Sequence, residues 1–144
     1  MKKILSFIIV SLLLIVATEC HSQQLVLTVN DIQKLVQNKD SFIGKPLSDL
    51  LQQIKPPIKR ISALPGRGVQ GSHIFLNFLS DSAYRKQWKE RNAVPTIIDI
   101  QVAEENFDWN PATRPKGHHY DWTKQDEEKY GKLTVVDIRV RGSN

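Results

Sequence analysis

Cysteine is nearly absent from this sequence, because Cys20 is the only one among 144 residues and it lies close to the N-terminus. A chain with a single cysteine cannot form an internal disulfide. The absence of cysteine beyond residue 20 also excludes a thiol nucleophile from the rest of the chain. We therefore expect the hydrophobic core alone to hold the fold together.

Long apolar runs are also missing, with one exception at the N-terminus. Lys2 and Lys3 precede residues 4–17, which are almost wholly apolar, and a polar stretch follows. This order is typical of a secretory signal peptide, and the run is shorter than the roughly 20 residues that a membrane-spanning helix needs. We predict that residues 1–22 are a signal peptide and that residues 23–144 form one small exported domain, periplasmic or secreted, with no membrane span.

Cys20 leaves an alternative for this leader. A bacterial lipoprotein signal ends at a cysteine that becomes the lipidated N-terminus of the mature protein. The residue before such a cysteine is normally small, whereas here it is Glu19. We therefore favour removal of Cys20 with the leader, and an outer-membrane lipoprotein anchored at Cys20 is the alternative.

The sequence lacks a strong charge of either sign. It has 20 basic and 15 acidic residues, and 18 and 14 once residues 1–22 are removed. The basic residues are scattered, whereas a nucleic-acid groove needs them clustered with interleaved aromatic residues. This composition and the predicted export both argue against nucleic acid as a partner.

Apolar residues recur at helical spacing in two segments after the leader. The first begins behind Asn30, and the second begins behind Pro46 and ends before Pro56. The stripe residues are Ile32, Leu35 and Val36 in the first segment and Leu47, Leu50, Leu51 and Ile54 in the second. A helical hairpin with two apolar stripes cannot bury both of them by itself, so we predict that it packs on a sheet.

Beyond residue 57 the apolar period changes from that of a helix to that of a strand. Segments that alternate, or that are bounded by turn residues, span 58–64, 72–79, 96–102 and 133–141. Strands with one polar face are typical of antiparallel sheets that face water on one side. The predicted fold class is therefore α+β, with an N-terminal helical hairpin packed on a roughly four-stranded, mainly antiparallel sheet.

The alternation also predicts which strand residues face the core. In the last strand Val136, Ile138 and Val140 are expected to point inward. In the strand before it, Asp99 and Gln101 are expected on the polar face. Between the second and third strands the sequence predicts a short helix, with Tyr84, Gln87, Trp88 and Arg91 along one side.

A long connection spans residues 104–132 and precedes the last strand. Unstructured loops of such length are uncommon and usually functional or disordered. Five aromatic residues lie in it, and disordered segments are poor in aromatics. They are Phe107, Trp109, Tyr120, Trp122 and Tyr130. We expect an aromatic-containing loop that either binds a ligand or folds back onto the sheet.

The stretch "HHYDW" at 118–122 raises the question of a metal site. In an extended segment His119 and Asp121 share one face, and His118, Tyr120 and Trp122 share the other. A zinc site needs at least three protein ligands, and His73 is the obvious third candidate. A small metal-assisted hydrolase that uses His73, His119 and Asp121 is therefore one hypothesis.

Other catalytic signatures are missing. The sequence has no GxSxG motif, and its glycine-rich "PGRGVQG" lacks the GKS or GKT ending of a phosphate-binding loop. That loop is expected to connect two strands, with Arg67 as its one residue able to contact an anionic partner.

The favoured hypothesis is a non-catalytic exported binding domain, without a cofactor or metal, for a protein or a glycan. Trp109, Tyr120 and Trp122 are its expected binding residues, together with His118 and Arg67. Large aromatic side chains dominate interface hot spots and stack on sugar rings.

Overall fold

The computed structural model describes residues 24–66, 71–91 and 94–142. The predicted signal peptide with Cys20 and the predicted binding residue Arg67 lie outside the described residues. The helices are α1 (Gln33–Gln37), α2 (Leu47–Leu51), α3 (Asp81–Arg91) and α4 (Lys124–Tyr130), and the strands are β1 (Arg60–Leu64), β2 (Ser72–Asn77), β3 (Ile97–Val102) and β4 (Val135–Arg141). The predicted α+β class is confirmed.

The four strands form one antiparallel sheet in the order β1-β2-β3-β4. Ile74, Ile100 and Ile138 lie side by side on β2, β3 and β4 and are fully buried. Side chains two residues apart on a strand share a face, which is why the alternating sequence places these isoleucines in one layer. The predicted four-stranded antiparallel sheet is confirmed.

The N-terminal helical region is more broken than its apolar stripes predict. Helices α1 and α2 have five residues each, and two short 3-10 turns flank α1. Gly44 lies between them with a φ of 78°, a conformation that favours glycine. The predicted hairpin arrangement of the two helices stays a prediction. No helix among the described residues is long and apolar enough to cross a membrane.

The inward-facing residues of β4 differ from the prediction at the start of the strand. Val135 is buried, whereas Val136 is 40% exposed. The pairing explains the difference, because Gln101 pairs with Asp137 while the next residue, Val102, pairs with Val135. Val136 is the extra residue of this β-bulge, and a bulge reverses the face of the residues before it. The prediction that Val136 points inward was wrong.

Asp99 was expected on the polar, solvated face of β3, but it is only 1% exposed. One carboxylate oxygen lies 2.7 Å from Nδ1 of His73 on β2. The other lies 2.5 Å from Nη2 of Arg141 on β4, an ion pair whose groups are not aligned as a hydrogen bond. Neighbouring side chains on this face therefore cover the carboxylate and supply its compensating charge.

The long connection before β4 contains a helix that the sequence pattern did not predict. Thr123 precedes α4, and its hydroxyl accepts a hydrogen bond from the backbone N–H of Asp126. The Asp126 carboxylate in turn accepts from the N–H of Thr123, which completes a capping box. Arg114 also donates to this carboxylate, so the part of the connection that precedes Thr123 is fixed to helix α4.

Candidate functional site

The stretch that contains "HHYDW" lies along the outer edge of β1. The N–H of Ile61 donates to the carbonyl of Tyr120 at 2.8 Å, and the N–H of Trp122 donates to the carbonyl of Lys59 at 3.0 Å. Arg60 and Asp121 form an antiparallel bridge between these two bonds. The segment therefore occupies hydrogen-bonding groups that an edge strand otherwise leaves open.

The predicted alternation of side chains within this stretch was wrong. Two turns precede the bridge, because the N–H of His118 donates to Pro115 and the N–H of Asp121 donates to His118. The turn brings Nδ1 of His118 to 2.6 Å from a carboxylate oxygen of Asp121. These two residues were expected on opposite faces of an extended segment. His118 remains mostly exposed and lines a polar hollow beside Arg114.

The three residues of the hydrolase hypothesis make separate contacts. His73 pairs with Asp99 on the sheet, and Nδ1 of His119 lies 2.8 Å from the carbonyl of Pro111. Asp121 pairs with His118. Within residues 24–66, 71–91 and 94–142, no group of three or more His, Cys, Asp and Glu side chains is placed to hold a metal ion. His73, His119 and Asp121 therefore do not converge on one point.

Two of the predicted binding aromatics pack against the core. Trp109 and Trp122 are both half-buried there. The ring of Trp109 lies 6.2 Å from that of Tyr130 and 6.4 Å from that of Tyr120. Tyr130 is buried, and its hydroxyl donates to the carbonyl of Asp108. This packing corresponds to the alternative in which the aromatic loop folds back onto the sheet.

A cleft between α3 and the segment at 118–122 joins aromatic and cationic side chains. Its volume is about 250 Å³. We call it the aromatic–cationic cleft, and its lining residues are Arg60, Tyr84, Arg85, Trp88, Lys89 and Tyr120. Helix α3 supplies four of them, because Tyr84 and Trp88, and likewise Arg85 and Lys89, are four residues apart and so lie on one helix face.

Arg60 contacts both tyrosines of the cleft. Its guanidinium carbon lies 4.1 Å from the ring centre of Tyr84 and 4.7 Å from that of Tyr120. Its Nε donates to Asp81 at 3.1 Å, and only 12% of its side chain is exposed. A cation between two aromatic rings is stabilised by both ring faces. Arg60 thereby connects β1, α3 and the 118–122 segment.

The charge of the cleft is positive. Burial of the Asp81 carboxyl opposes its ionisation, but hydrogen bonds from Arg60 and Arg85 outweigh that effect and hold its pKa below the ordinary value. One carboxylate is thus shared by two guanidinium groups, since Arg85 donates to its second oxygen at 2.7 Å. Lys89 adds a third cation, which leaves a local excess of two positive charges over Asp81.

The rim of the cleft is open to solvent. Trp88 is 52% exposed, and its ring lies 6.3 Å from that of Tyr84 at an angle of 32°. Lys89 is exposed beside it. An exposed indole and an exposed ammonium group are therefore both accessible to a ligand from the same side.

Of the predicted binding residues, Tyr120 lines the aromatic–cationic cleft. Sequence reasoning did not single out Arg60, Arg85 or Lys89. The spacing of Arg85 and Lys89 beside Tyr84 and Trp88 was the available signal for the helical part. Arg60 had no such signal, because its partners are distant in the sequence.

Comparisons with protein-family models, with curated proteins and with solved structures gave no match to this chain. The function has therefore to be argued from the aromatic–cationic cleft itself.

Proposed function

We propose that this protein is a non-catalytic exported binding domain that holds a protein or glycan ligand in the aromatic–cationic cleft. The observation that carries the proposal is the half-exposed indole of Trp88 beside Tyr84, at the mouth of a cleft lined by cations. Tryptophan, tyrosine and arginine are the residues most enriched among binding hot spots.

The chemistry of the lining supports binding without catalysis. None of its six side chains is a carboxylate or an imidazole, the usual groups for general acid–base catalysis. The nearest carboxylate, Asp81, has both oxygens engaged by arginines. The alternative hydrolase has no comparable support, because His73, His119 and Asp121 make separate contacts.

The export part of the proposal rests on the N-terminal sequence. Two lysines, an apolar run and a polar break are the ordinary parts of a secretory leader.

The test is isothermal titration calorimetry of the mature protein, residues 23–144, with three probes. They are a neutral oligosaccharide (galactotriose), an acidic one (trigalacturonate) and an acidic peptide (hexaglutamate). We expect at least one to bind, and Trp88→Ala to weaken that binding by about tenfold, as for the loss of a hot-spot aromatic.

Leu64→Ala is the matched control, because Leu64 is equally exposed but lies outside the lining of the cleft. It should leave binding unchanged. The proposal is wrong if none of the three probes binds, or if Trp88→Ala and Leu64→Ala bind the same probe equally well.

A further inference from the structure

The six side chains of the aromatic–cationic cleft offer many hydrogen-bond donors and few acceptors. Arg60, Arg85 and Lys89 are donors only, as is the indole N–H of Trp88. The tyrosine hydroxyls are the only side-chain acceptors in the lining. A ligand that matches this lining must therefore be rich in acceptors, which describes an anion better than a neutral polyol.

Two of these cations remain accessible. Arg60 is largely covered by the two tyrosine rings and Asp81. Arg85, in contrast, is 63% exposed even though it pairs with Asp81, and Lys89 is exposed one helical turn further on. The guanidinium fork of Arg85 and the ammonium of Lys89 are thus available to one acidic group.

The aromatic part of the cleft favours a ligand with a ring beside that acidic group. Trp88 is half-exposed next to Tyr84, and an exposed indole stacks on the apolar C–H face of a sugar ring. The volume of about 250 Å³ lies just below the usual range for small-molecule pockets, so it suits one ring and not a long segment.

An acidic peptide fits these observations less well. Peptides gain much of their affinity for a sheet by adding a strand to its edge. Here the segment around Tyr120 already occupies the edge of β1 beside the cleft, through the bonds from Ile61 and Trp122. A peptide would therefore contact the cleft by side chains alone.

From these observations, and resting on the proposed function, we infer that the ligand is an acidic glycan. One of its rings stacks on Trp88, and a carboxylate or sulfate group on that ring binds Arg85 and Lys89. No bond is made or broken in this association.

The closing experiment compares trigalacturonate with its methyl ester, which keeps the size and the ring but removes the charge. Mature protein is titrated with both, with a sulfated galactose trisaccharide, and with hexaglutamate. We expect trigalacturonate or the sulfated sugar to bind about tenfold more tightly than the ester, since charge-assisted bonds are the stronger ones. The affinity should also fall as salt is raised from about 50 to about 300 mM.

Lys89→Ala is the informative variant, and Lys86→Ala is its control. Both replace an exposed lysine of α3, so both change the net charge equally, but Lys86 is outside the lining. Lys89→Ala should weaken binding of the acidic sugar by about tenfold and leave the ester unchanged, whereas Lys86→Ala should change neither by more than about twofold.

Four outcomes would overturn the inference. Equal binding of the ester and the acid would identify a neutral-glycan site, and tighter binding of hexaglutamate that depends on Trp88 would identify a peptide site. Both leave the proposed binding function standing. Equal losses in Lys86→Ala and Lys89→Ala would reduce the association to non-specific charge. Failure of every probe to bind would refute the proposed function together with the inference.

Discussion

Replacing Arg60 by methionine is expected to destabilise the protein and to loosen α3 in particular. Methionine keeps much of the length of the side chain but removes the guanidinium. The change leaves the partly buried Asp81 carboxylate with Arg85 as its partner, so it is not left without a cation. The loss of stability therefore measures what Arg60 contributes by contacting the rings of Tyr84 and Tyr120 and the carboxylate of Asp81.

The magnitude follows from its contacts. Cation–π contacts contribute about 0.5–1 kcal/mol at exposed sites and about 2 when desolvated. Arg60 is 12% exposed and contacts Tyr84 and Tyr120 at 4.1 and 4.7 Å, so about 1 kcal/mol for each is reasonable. The charge-assisted hydrogen bond to Asp81 adds about 1 kcal/mol because the carboxylate keeps its other partner. We expect a total loss of roughly 2–4 kcal/mol, a large share of a typical stability.

Urea unfolding followed by far-ultraviolet circular dichroism gives the free energy of unfolding. Hydrogen exchange should show that the amides of α3 lose protection more than those of β2 and β3. Arg85→Met is the control, because Arg85 also bonds Asp81 but is 63% exposed, and it should cost less than about 1 kcal/mol. A loss below about 0.5 kcal/mol for Arg60→Met, or one equal to that of the control, would refute the reasoning.

Three further outcomes are expected. Leu50→Ala and Ile138→Ala should each lower the free energy of unfolding by roughly 2–5 kcal/mol, because both side chains are buried. Urea unfolding measures this loss, and a loss as small as that of a surface substitution in either variant would contradict the prediction. The Lys39 ammonium holds the pKa of Asp137 below its ordinary value against the opposing effect of burial. The stability that this pair contributes should be fully present above the unfolded carboxyl pKa of about 3.9 and should be lost as the pH falls through the lower folded pKa. Lys39→Met should therefore be less stable than the wild type near neutral pH and equally stable in strong acid. Mass spectrometry of exported protein should find an N-terminus at or near Gln23, whereas an intact Met1 would disprove the leader.

The strands could be predicted because their alternation is local. The buried apolar residues of β2 and β3 recur at every second position, and burial on one face enforces that spacing. The failure at Val136 has a physical reason, since a β-bulge depends on how β4 pairs with β3. The pairing is a property of two strands, and the sequence of one strand does not reveal it.

Helix α4 was missed although a local signal exists. Thr123 and Asp126 have the spacing of a capping box, which predicts a helix N-terminus. A helix that presents only Tyr130 to the core has little hydrophobic periodicity, and its cap is then the main evidence in the sequence.

The aromatic–cationic cleft could be predicted only in part, because spacing in the sequence reveals which residues share a helix face but not which distant residues meet in the fold. The helix face with Tyr84 and Trp88 was predicted from spacing. The approach of Arg60 to Tyr120 joins residues 60 positions apart and depends on the 118–122 segment lying along β1. Turns in and before this segment determine where its side chains point, whereas the prediction assumed an extended conformation.

The contacts that build the cleft also bear on how well it can bind. Arg60 is held by its cation–π contacts with Tyr84 and Tyr120 and by its ion pair with Asp81, without any ligand. Binding loses free energy for every side chain that has to be ordered, at about 0.5–1.5 kcal/mol each. Only the exposed side chains at the rim, such as Trp88 and Lys89, would have to be ordered by a ligand. The side chains that set the shape of the aromatic–cationic cleft are therefore fixed during folding, and those at the rim, which would contact the proposed ligand, are left adaptable.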